Sequence, residues 1–131
     1  MRMKKILALC LLFVTASAFA DNWVRYAKNQ DALLYYDKHR KVVMSGTAFI
    51  WDLHDLKVPA TDAAGNSYQS VLYATEYNCR KEQRRILSVQ WMAGKMGNGP
   101  VVAEDAMVSD WKSDPLGTPA AILLDVACEN N

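Results

Sequence analysis

Cysteine is scarce in this 131-residue chain, with three residues at positions 10, 79 and 128. That rules out a cysteine-rich multi-bridge scaffold, and no C-x-x-C pair is present to suggest a metal or redox centre. Histidine is rarer still, only His39 and His54. Four prolines and six glycines are too few and too scattered to make a linker or a low-complexity tract. No internal repeat is present. Neither sign of charge dominates, with 15 basic against 14 acidic residues. Nucleic acid is therefore not the expected partner, because it calls for a strongly basic face. The G-x-S-x-G elbow, H-E-x-x-H, P-loop and dinucleotide fingerprint are all missing, and no cofactor is expected.

One long apolar run is present, at the start. Met1-Arg2-Met3-Lys4-Lys5 is basic, residues 6–14 are continuously apolar, and Ala18-Phe19-Ala20 is a small-x-small cleavage pattern. Residues 1–20 thus read as a cleavable secretory signal peptide. The run is too short to span a bilayer of about 30 Å as a helix, so no transmembrane anchor is expected after cleavage. Leu7-Ala8-Leu9-Cys10 is a poor lipoprotein box, since Leu9 is bulky where a small residue is needed. Removing the leader takes away Arg2, Lys4 and Lys5 and no acid, which leaves twelve basic and fourteen acidic residues in one domain, 21–131. Cys79 and Cys128 remain, and an even count in an exported chain predicts a disulfide.

The rest of the chain consists of short β-rich segments separated by turn residues. Strands are expected at 23–27, 33–37, 41–44, 47–53, 68–79, 85–93 and 101–103, with a loop over 55–66. Val71, Tyr73, Tyr77 and Cys79 share one face, as do Leu87, Val89, Trp91 and Ala93, the alternation of a half-buried antiparallel hairpin. At the end, Thr118-Pro119 offers an N-cap and a first-turn proline. Ala120, Leu123, Leu124 and Ala127 then form a helical stripe beside Cys128. The expected fold is α+β: an antiparallel sheet of about six strands, with a C-terminal helix on one face held by one disulfide.

Candidate interaction residues follow from exposure and charge. Tyr35 and Tyr36 lie on opposite faces of their strand, so one should be accessible to a protein partner. Arg80, Lys81 and Arg84 belong to the densest basic patch, at a hairpin tip. Arg85 shares parity with Leu87 and Val89, so it is expected on the apolar face near Cys79. There it would bind a carboxylate or the carbonyls at the helix end. Asp52 and His54 point together, and the plain reading is a solvated polar face; a deep pocket gathering His54 with acids would favour catalysis instead. Open sheet edges leave room for a homodimer.

Tyr35-Tyr36-Asp37, Ile50-Trp51-Asp52-Leu53-His54-Asp55, Tyr68-Gln69-Ser70, Glu76-Tyr77-Asn78-Cys79, Arg85-Ile86-Leu87, Gly99-Pro100-Val101-Val102, Trp111 and Val126-Ala127-Cys128 occur in order over 23–128. In that order and spacing they resemble the surface-adhesin protein E-like family of bacterial exported proteins. The resemblance implies a sheet of about six strands with a C-terminal helix. It also implies a non-enzymatic adhesin-like role, binding host matrix or serum proteins or other extracytoplasmic proteins. Without a lipobox, a periplasmic or secreted product is expected beside a cell-surface one. The alternative is a periplasmic accessory protein, an enzyme inhibitor or envelope-assembly factor; an enzyme ranks third.

Overall fold

The computed structural model describes residues 22–129, and the leader read at 1–20 lies outside them. Seven strands and one α-helix are present among the described residues, besides a 3-10 turn at Lys95–Gly97: β1 (Trp23–Lys28), β2 (Ala32–Asp37), β3 (Val42–Met44), β4 (Thr47–Thr61), β5 (Ser67–Asn78), β6 (Gln83–Met92), β7 (Val101–Asp105) and α1 (Pro119–Cys128). All pairings are antiparallel, in the spatial order β1-β2-β4-β5-β6-β7. Short β3 pairs with the first residues of β4, beyond the stretch that β2 occupies. Ser45 and Gly46 turn the chain between them at φ 29° and 83°, a two-residue hairpin that requires positive φ at both positions. Among the described residues no helix is long and apolar enough to cross a membrane.

Strand register sorts the side chains onto two faces. Ala48, Ile50 and Tyr77 face α1 and are almost fully buried against Leu123 and Ala127. Thr118 caps the helix by accepting the Ala121 N–H at 3.3 Å, and Pro119 fills the first turn, where a missing N–H costs nothing. The Cys79–Cys128 disulfide, with its Cα atoms 5.6 Å apart, fixes the other end of α1 to β5. Leu53, Leu72 and Met92 form a second core on the opposite face, flanked by Trp23, Tyr35, Trp51 and Met96. The turn 94–99 folds over that core. Ser70 Oγ donates to the Gly94 carbonyl at 2.6 Å, and Asp55 accepts the Met96 N–H at 2.7 Å. Both buried polar side chains are thereby satisfied.

Two expectations need correction. Residues 55–61 continue β4 instead of forming a loop. The ladder to β5 slips between Asp55 and Ala60, so Pro59 sits in an irregular stretch where no regular bond is lost. Asp62 organises the turn that follows, its carboxylate accepting the Ala64 and Asn66 N–H groups at 3.0 and 2.8 Å.

The parity of β6 is the second. Ala74 pairs with Ser88 but Thr75 with Ile86, which leaves Leu87 as an extra residue. A bulge of this kind exchanges the faces of every residue beyond it. Arg84 and Ile86 therefore share the helix side with Val89 and Trp91, and Arg85 lies on the other face. There Arg85 Nε meets Glu76 Oε2 at 2.7 Å, and its guanidinium stacks 4.6 Å from the Trp111 ring. The cation at the helix end is Lys41, whose Nζ donates to the Val126 carbonyl at 2.9 Å and to Glu129 at 3.1 Å.

Candidate functional site

Beyond β7 the chain doubles back along β6. The Ser109 N–H donates to the Ile86 carbonyl at 2.9 Å, and Arg84 and Lys112 exchange backbone bonds of 2.8 and 2.9 Å. This return path sets Asp114 beside Arg84 and carries residues 115–118 over the sheet toward the start of α1. Arg84 grips Asp114 in a bidentate pair, Nε to Oδ2 at 2.7 Å and Nη2 to Oδ1 at 3.1 Å. Between this strap, α1 and the sheet lies a cavity of about 360 Å³.

The cavity has an apolar wall and a polar floor. Leu34, Ile86, Pro115, Pro119, Ala120 and Leu123 make the wall. At the floor is Asp52, 5% exposed. Its Oδ2 lies 3.2 Å from His54 Nε2 and accepts from the Tyr26 hydroxyl at 3.5 Å, while Oδ1 accepts from Thr75 at 3.3 Å. His54 packs on Tyr73 with ring centres 4.6 Å apart. Asp52 and His54 do point the same way, but inward to this cavity and not to solvent.

Burial, reinforced by the Asp52 carboxylate, pushes the phenols of Tyr26 and Tyr77 far above the ordinary tyrosine range, and raises that of Tyr73. The hydrogen bond to Asp114 raises Arg84 despite its partial burial. At neutral pH the tyrosines are thus hydrogen-bond donors and walls, not bases. Among the described residues no serine or cysteine lines the cavity. Thr75 is bound to Asp52, and Thr118 is occupied by the Pro115 carbonyl at 2.8 Å and by the helix cap. Among the described residues no group of three or more His, Cys, Asp or Glu is placed to hold a metal ion.

An alkaline consequence follows from the tyrosines. Phenols with a raised folded-state pKa contribute stability that is fully present below about pH 10 and is lost as pH rises past it. The expected result is a fall of up to roughly 1.4 kcal/mol per pH unit for each such tyrosine. Melting temperatures followed from about pH 8 to about pH 11.5 check it, with Tyr77→Phe giving a shallower decline. A flat profile would contradict this burial.

The sequence-predicted interaction residues do not form one patch. Tyr35 packs against the Leu53 core on the far face, whereas Tyr36 joins the helix-side core, 6.3 Å from Tyr26. Arg80 and Lys81 stay at the exposed hairpin tip. Arg80 leans on Gly46, where an added Cβ would stand 2.9 Å from its Nε. Arg84 alone lines the cavity, and Arg85 lies across the sheet. Strand parity made the Asp52–His54 pairing legible, but no local signal marked Tyr26 or Asp114.

A single antiparallel sheet clamped to one helix by a disulfide, with a cavity between them, defines a small α+β domain. The chain belongs to the surface-adhesin protein E family, whose model matches residues 23–129. Among solved structures it is similar to Haemophilus influenzae protein E. Crystal form II is 15% identical with a TM-score of 0.67, covering 84% of this chain and 89% of that one. Protein E from non-typeable Haemophilus influenzae is 16% identical with a TM-score of 0.59, covering 77% and 73%. At that identity the likeness is one of fold. No curated protein matches the sequence.

Proposed function

We propose that this is an exported, non-enzymatic, adhesin-like protein that engages extracytoplasmic proteins, host matrix or serum proteins among them, and seats one of their side chains in the helix–sheet cavity. One observation carries the reading: the two segments that close the cavity, the strap and α1, also carry apolar side chains left in water. Leu116, between the lining residues Pro115 and Thr118, is 97% exposed, and Ile122, next to Leu123 on α1, is 41% exposed. Apolar surface around a formed pocket is characteristic of a protein-recognition site. Membership in a surface-adhesin family supports the same reading.

The decisive experiment fills the cavity. Ala120→Phe projects a ring into it from the first turn of α1. Mature wild-type and variant proteins are tested against purified matrix proteins, serum proteins and envelope proteins. At least tenfold weaker binding by the variant, at unchanged melting temperature, is expected. Equal binding would remove the cavity from the interface. Binding confined to envelope proteins would favour the periplasmic accessory role.

A second reading, an acid–base enzyme, rests on the inward-facing His54–Asp52 pair, and a pocket of this kind is what catalysis would need. The lack of a serine or cysteine among the described lining residues and the protonated state of the tyrosines weigh against it.

A further inference from the structure

We propose that the occupant of the cavity is the ammonium group of a lysine side chain on the partner protein. The inference rests on the cavity-binding role proposed above and specifies its chemistry.

The argument starts from Asp52. A carboxylate offers about four lone-pair positions. Three side chains reach it here, at 3.2, 3.3 and 3.5 Å, all longer than the roughly 2.5–2.9 Å of a strong bond to a carboxylate. Tyr26 and Thr75 are neutral, and His54 is the one ion-pairing group beside Asp52 among the described residues. Buried carboxylates are normally matched by a permanent cation, because desolvating an unmatched charge is costly. Arg84, the cation within the cavity, is committed to Asp114 through two bonds. Two carboxylates against one guanidinium leave the lining one negative charge in excess when the imidazole is neutral. An anion would face Asp52 and find Arg84 already engaged. A cation would complete the floor.

The rest of the cavity selects among cations. Leu34, Ile86, Pro119, Ala120 and Leu123 form an apolar wall above the carboxylate, suited to a hydrocarbon stem with a charged tip. Tyr26 and Tyr73 add aromatic surface beside Asp52, which favours an organic ammonium. A volume of about 360 Å³ lies at the small end of ligand pockets, which accommodates one long side chain. A planar guanidinium fork calls for both carboxylate oxygens in its plane, and both Asp52 oxygens already hold side-chain partners, whereas a compact ammonium needs only one. Among the described residues a metal ion finds no cluster of ligands.

The test needs no partner protein. The oxidised mature protein is titrated by calorimetry with lysine blocked at both its α-amino and carboxyl groups, with the same molecule acetylated at Nε, and with blocked norleucine. Blocked lysine should bind at least tenfold more tightly than either control, and Asp52→Asn should erase the difference. Equal binding of norleucine and lysine overturns the proposal, and so does undiminished lysine selectivity in a folded Asp52→Asn protein. The ligand series on wild-type protein decides the matter even if Asp52→Asn fails to fold. Cadaverine binding more tightly than blocked lysine would overturn the protein-borne source. The Ala120→Phe comparison keeps the two readings apart: if filling the cavity weakens protein binding but lysine acetylation of the partner does not, the cavity role stands and the ammonium falls.

Discussion

Replacing Cys79 and Cys128 together by alanine is expected to destabilise the domain by roughly 4 kcal/mol, the chain-entropy figure for a closed loop of about 50 residues. The bridge spans a sequence separation of 49. Total stability for a domain of this size is typically about 5–15 kcal/mol, so the loss takes a large share of it. The melting temperature should fall by roughly 15 °C or more. The structural consequence is specific. The helix meets the sheet through Leu123, Ala127 and the partly buried Leu124 and Val126, a small apolar contact for a ten-residue helix. Without the bridge, the Lys41 contacts and the packing of Val126 and Ala127 are what remain to hold its last turn. The cavity wall formed by Ala120 and Leu123 would loosen with it. Urea denaturation of the double variant, alongside wild-type protein with and without reductant, measures the effect. A loss below about 1 kcal/mol would mean that packing alone holds the helix.

Leu53→Ala and Leu123→Ala should each cost about 2–5 kcal/mol, the range for truncating a buried leucine and leaving a cavity. Leu53 is fully buried and Leu123 is 3% exposed. They belong to different cores on opposite faces of the sheet, one under the turn 94–99 and one under α1. Because the two sites share no packing partners, the double variant should show the sum of the single effects within about 0.5 kcal/mol. Chemical denaturation of the three variants provides the test. A clear departure from additivity would show that the faces communicate through the sheet. The functional prediction differs between the two: Leu123→Ala enlarges the proposed binding cavity and should weaken protein capture. Leu53→Ala, on the far face, should leave capture unchanged wherever the protein remains folded.

Alternation was enough to put Phe49, Trp51 and Leu53 on one face of β4 and Val71, Tyr73 and Tyr77 on one face of β5, because side-chain direction in a regular strand follows from count alone. That these are opposite faces of the sheet came from the register. The helix was legible from Thr118-Pro119 and the stripe ending at Ala127, both local features. Counting failed at β6, where Leu87 is inserted without any distinctive residue to announce it. One unmarked bulge sent Arg85 away from the helix and turned Arg84 into the cavity, so the apparent basic patch separated into a tip and two opposite faces. The extension of β4 through Pro59 was hidden for a related reason: a proline reads as a break unless the ladder is known to slip there.

The sequence by itself determined the elements, the disulfide partners and the two-faced sheet, since each depends on periodicity, capping chemistry or cysteine count over a short stretch of chain. Only the tertiary structure decided that a cavity exists between the helix and the sheet. Its floor, wall and strap come from Asp52 on β4, Tyr26 on β1, Arg84 on β6, Asp114 on the returning segment and Ala120 on α1. No local rule relates residues so far apart in the chain. Their meeting is set by the order in which the strands pair, by the bulge that turns Arg84 inward and by the helix closing over them.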